Sequence, residues 1–74
     1  KAINLSTLEE LASKNNLTEV TFETLVQAGF VSANDKVKIL GNGTITRALA
    51  VKANAFSKTA EAAIVAAGGS VEKL

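Results

Sequence analysis

Apolar residues alternate or recur in short runs along the chain, and the period changes several times. Residues 2–5, AINL, read as a strand with Ile3 and Leu5 on one face. The next run switches to helical spacing: Leu8, Leu11 and Ala12 share a face, with Ser6 as the expected N-cap and Glu9 three residues on, the capping-box interval. Asn15 and Asn16 favour turns and end this helix. Residues 17–20 are a connector. Thr21 then caps a second helix whose Phe22, Leu25 and Val26 share a face. Gly29 stands where a left-handed stop is wanted, and Phe30 is expected to fold back on Leu25. Residues 31–35, VSAND, form a surface turn.

The second half returns to period two. Val37 and Ile39 alternate with Lys36 and Lys38 over a strand at 36–40, and GNG at 41–43 makes a corner. A third strand spans 48–55, with Leu49, Val51, Ala53 and Ala55 on the apolar face and Lys52 and Asn54 as outward neighbours. Ser57 caps a third helix with Ala60, Ala63, Ile64 and Ala67 along one side; Gly68 and Gly69 stop it, and 70–73 is a closing strand. The 74 residues make a single α/β domain, expected as one layer of about four short strands covered by three helices. No internal repeat is strong enough to use.

Composition removes several classes of function. There is no Cys and no His, hence no thiolate or imidazole metal site and no histidine base; Tyr is absent too. The adjacent acids Glu9 and Glu10 are explained by the first helix rather than by an acid–base pair. GNGTIT at 41–46 has Thr46 where a nucleotide-binding loop has its third glycine, and a strand rather than a helix is expected after it. No enzyme activity, metal or cofactor is therefore expected. No apolar run approaches the ~20 residues that span a bilayer. With no signal peptide visible, a cytoplasmic setting fits.

Net charge is +1, but it is divided unevenly: −3 over residues 1–35, +5 over 36–58 and −1 over 59–74. The acid-free middle holds Lys36, Lys38, Arg47, Lys52 and Lys58, together with the donors Asn42, Asn54 and Ser57. These eight residues are the inventory of phosphate and sugar contacts. They also fit an ordinary solvated surface, and the two readings stay open from charge alone. Phe22, Phe30 and Phe56 are too few and too core-like for base-stacking platforms, Phe56 being the least settled.

VKILGNG at 37–43, ALAVKANAFS at 48–57 and AAGGSVE at 66–72, with TFETLVQAGF at 21–30 in the expected order, resemble the bacterial large-subunit ribosomal protein L-fifteen family. The resemblance covers nearly the whole chain. It implies the C-terminal globular domain of such a protein, residues 1–74, folded as an irregular superhelix of strand–strand–helix units. It further implies a non-catalytic part of the cytoplasmic ribosome that binds large-subunit ribosomal RNA and touches neighbouring ribosomal proteins, with no membrane or small-molecule partner. The family motif places Lys52, Asn54, Phe56 and Ser57 as RNA-facing. This chain has Asn54 where the family usually has His, which leaves no protonation role there. It has Thr44 where an acid is common. The family's Gly-, Arg- and Lys-rich N-terminal extension is not in this sequence. The rival function is a protein-interaction module using the Ala-rich third helix or an edge strand.

Overall fold

The computed structural model describes all of residues 1–74. The elements run β1 (Ala2–Asn4), α1 (Leu5–Asn15), β2 (Glu19–Val20), α2 (Phe22–Gln27), β3 (Lys38–Leu40), β4 (Ala50–Ala53), β5 (Ala55–Phe56), α3 (Lys58–Ala66) and β6 (Ser70–Lys73). Three helices are present as expected; the strands number six. They form two parallel sheets rather than one layer, ordered β1-β3-β5 and β2-β4-β6.

Odd strands enter the first sheet and even strands the second, so the chain winds between them as a three-turn coil. Each turn lays its strand beside the one from the turn before. The pairing sets up inward rungs: Ile3, Ile39 and Phe56 align across the first sheet, and Val20, Val51 and Val71 across the second. Both rungs, with Leu5, Leu8, Leu25, Leu49 and Ile64, belong to one apolar core that contains no buried polar residue. Parallel strands need such crossovers, and here helices or loops supply them.

The added strands have separate causes. Glu19 and Val20 pair with Ala50 and Val51, so the expected connector contributes β2. The expected 48–55 strand breaks at Asn54, where the chain crosses from the second sheet to the first. Asn54 does not face outward beside Lys52. Its Oδ1 accepts the Val37 N–H at 2.7 Å, and its own N–H donates to the Val37 carbonyl at 3.1 Å. This short side chain can imitate a backbone partner, which lets the strand turn without stranding an N–H group.

The first helix begins differently from its sequence signature. Asn4, not Ser6, is the N-cap, and its side chain makes no capping hydrogen bond. The Ser6 N–H donates instead to the Asn42 carbonyl at 3.3 Å, while Asn42 Nδ2 donates to Asn4 Oδ1 at 3.3 Å. A loop distant in sequence thus satisfies an orphan donor of the first turn. Gly43 makes this possible: its φ is +91°, and a Cβ there would lie 2.6 Å from the Ser6 Cβ. The other two helix starts follow the sequence. Thr21 and Thr24 form a reciprocal capping box, and Ser57 Oγ accepts the Ala60 N–H at 3.1 Å.

The stop after α2 is a Schellman turn, with Gly29 N–H on the Val26 carbonyl and Phe30 N–H on the Leu25 carbonyl, both at 3.1 Å. Its backbone is as expected. Its side chain is not: Phe30 remains 42 % exposed while Val31 takes the buried position at 7 %.

Candidate nucleic-acid interface

The strand pairing decides which cations can act together. On the outward face of the first sheet, Lys38 lies between Ala2 and Ala55. Small neighbours leave its ammonium group uncovered. Lys36, one pleat earlier, is also exposed. Lys1, Lys36, Lys38 and Asn54 line one open cleft, whose walls carry no acidic side chain. Three Lys side chains without a local acid create a positive field suited to a polyanion. Asn54 reaches this cleft as a structural latch, its Oδ1 already engaged by Val37.

The remaining expected RNA-facing residues are dispersed. Lys52 lies on the second sheet, with Nζ 3.7 Å from Glu19 Oε2 and Glu72 as its cross-strand neighbour. Arg47 lines a separate cleft with Glu9, Glu10 and Lys14. Within that cleft, Glu9 accepts from the Thr46 N–H at 3.2 Å and from the Thr46 hydroxyl. The hydroxyl bond first, then the backbone N–H, and the nearby Arg47 charge hold the Glu9 carboxyl below the usual carboxylate range. Glu9 is thus a tertiary clasp between α1 and the loop, not a capping-box partner. Asn42 is committed to Asn4 and Ser6, and the Ser57 oxygen caps α3. Lys58, the first residue of α3, is exposed. Phe56 is partly buried against the core.

The five cations therefore do not converge on one surface. The acid-free stretch of sequence folds so that Lys52 and Arg47 meet carboxylates from residues 1–35, while Lys36 and Lys38 do not. What the sequence pattern could not supply was Lys1, brought to Lys36 and Lys38 by the pairing of β1 with β3. No cluster of three or more acids that could hold a metal is present, and no helix is long and apolar enough to cross a membrane.

Comparison with known proteins places this geometry in a family. Residues 2–72 match the family model that groups the ribosomal proteins 50S-L15 and 50S-L18e with their 60S counterpart. The chain belongs to this family. Large ribosomal subunit protein uL15 of Porphyromonas gingivalis is 62 % identical over 74 residues, covering all of this chain and 50 % of the relative. The uL15 of Bacteroides thetaiotaomicron is 58 % identical over the same span. That of Rippkaea orientalis is 51 % identical over 73 residues, 97 % of this chain and 44 % of the relative. The chain thus spans about half the length of the uL15 relatives it matches. Family membership agrees with the resemblance carried by the glycine corner, the 48–57 segment and the double-glycine stop.

Proposed function

We propose that this chain is the C-terminal globular part of a non-catalytic, structural protein of the large ribosomal subunit, working in the cytoplasmic ribosome. It docks on ribosomal RNA through the outward side of the first sheet. The observation that carries the reading is the cleft lined by Lys1, Lys36 and Lys38 without an acidic side chain. Lys36 and Lys38 neutralise phosphates there, and Lys58 adds a contact at the exposed start of α3. Arg47 and Lys52, already facing carboxylates, contribute less. Asn42, Asn54 and Ser57 serve chiefly by holding the backbone that presents the lysines.

The test is binding to large-subunit RNA across a salt series. Lys36→Glu with Lys38→Glu should weaken binding at least tenfold, by roughly 1.4 kcal/mol, and flatten the log–log salt slope by about 0.7–0.9 for each phosphate left unneutralised. Lys52→Glu should change it less than about twofold, since that charge is already compensated. Salt-independent binding, or an equal loss from Lys52→Glu, would sink the reading. A neighbouring ribosomal protein is also supported, on α3. Val65 is 55 % exposed, and Ala63, Ala66 and Ala67 line a groove with Gly43 and Ile45. Retained RNA binding with loss of subunit incorporation on Ala66→Glu would assign that face to protein.

A further inference from the structure

Two of the three aromatic side chains, Phe22 and Phe56, pack against the core; Phe30 does not. Its backbone is nonetheless fixed. The Schellman turn holds it from one side, and buried Val31 anchors it from the other. Beyond Val31, Ser32 and Asp35 close a turn, with the Ser32 N–H on Asp35 Oδ2 at 2.9 Å. The result is an exposed ring on a rigid support, in a position where the motif ordinarily folds an apolar side chain back onto its helix.

The surroundings of that ring are basic. Phe30 lines a shallow cleft with Lys1, Ser32 and Asp35, and Lys1 also lines the cleft of Lys36 and Lys38. Asp35, the one acid at the junction, accepts from Ser32 and faces Lys1. A protein hot spot would need a desolvated apolar rim around the ring. Here the rim is Lys, Gly, Ser and Asp. Paired RNA hides its bases in the helix, whereas an unstacked base offers a face that any aromatic side chain can take.

We propose that Phe30 stacks on the base of one unpaired RNA nucleotide whose flanking phosphates lie against Lys1, Lys36 and Lys38. This rests on the RNA-docking reading above and adds to it the kind of RNA element bound: a bulge, loop or single strand rather than a duplex face. It also reverses the sequence-based expectation that no phenylalanine of this chain stacks on a base.

The chain has no Trp or Tyr, so Phe30→Trp introduces a single indole reporter. An RNA oligonucleotide should quench it when single-stranded and leave it largely unquenched when annealed to its complement. By anisotropy of labelled single-stranded RNA, Phe30→Ala should weaken binding about five- to tenfold, the lower end for loss of one base stack. Phe30→Tyr should restore it and Phe30→Leu should not. Wild-type affinity in Phe30→Ala, full rescue by Leu, or equal quenching by the duplex would overturn the proposal. If the Lys36 and Lys38 reversals abolish binding while Phe30→Ala leaves it intact, only the stacking fails. If the wild-type chain binds neither RNA form, the docking reading fails with it.

Discussion

The first sheet turns Lys38 outward between two alanines, whereas the second turns Lys52 outward beside Glu72 and within 3.7 Å of Glu19. Their interiors are alike, each with a central branched aliphatic rung. The coil explains why the exteriors differ. Turns from the acidic N-terminal third are laid beside turns from the basic middle, and the register determines which charges meet. On the second sheet β2 delivers Glu19 and β6 delivers Glu72; on the first, β1 and β5 deliver only Ala, Ile, Asn and Phe. One protein thus carries a neutralised face and a basic face although its net charge is near zero.

The largest expected effect comes from the second sheet's scaffold. A Cβ on Gly69 would run into the Leu49 carbonyl and lie 2.8 Å from the Leu49 nitrogen, where β6 departs from α3. Gly69→Ala should cost about 3 kcal/mol in denaturant unfolding, since backbone on both sides cannot move aside. If stability holds, the two sheets are less tightly coupled through that crossing than the close approach requires. The corresponding joint of the first sheet is Asn54. Asn54→Ala leaves the Val37 N–H without its partner and should cost about 1–3 kcal/mol by chemical denaturation. Val37 is 1 % exposed, so little water can replace the missing acceptor. A neutral result would mean that the crossover between sheets does not depend on this latch.

Smaller effects test the exteriors. A double-mutant cycle of Lys52→Ala and Glu19→Ala should return a coupling of about 0–1 kcal/mol, because both groups are substantially exposed. A much larger coupling would make the neutralised face a stabilising feature and not merely a compensated one. The smallest effect is a pH dependence. The Glu9 carboxyl is held below its usual range by Thr46, so its contribution is present above the unfolded-state range and fades as pH falls through the depressed folded value. The Tm difference between wild type and Glu9→Gln should therefore shrink on acidification below about pH 4.3, the ordinary glutamate value. A constant difference down to the acid limit would show that the clasp does not act through the carboxylate charge.

Much of the fold was legible locally. Thr21 and Ser57 cap helices as their positions announce, and Gly29 and the Gly68–Gly69 pair stop helices in place. Val37, Ile39, Val51 and Ala53 are buried as their alternation requires. The misreadings share one cause: each involved a residue whose partner lies far along the chain. Ser6 and Glu9 match a capping box, but Asn42 and Thr46 compete for those roles from 36 and 37 positions away, and the tertiary contacts prevail. Asn54 sits in a strand-like run, yet Val37 draws it into a crossover. β2 is two residues long and exists only because β4 lies beside it.

Sequence alone determined the inside of this protein. Apolar spacing, caps and glycine stops act over a few residues, and nearly all the positions they assign to the core are buried. It also determined the charge inventory and, through long matching segments, the family. The outside was decided by the coil. Which lysine faces a carboxylate and which stands free depends on strand register between turns, and so does the approach of Lys1 to Lys36. Pairing between segments tens of residues apart leaves no local signature, so the basic face becomes visible only when the turns are stacked.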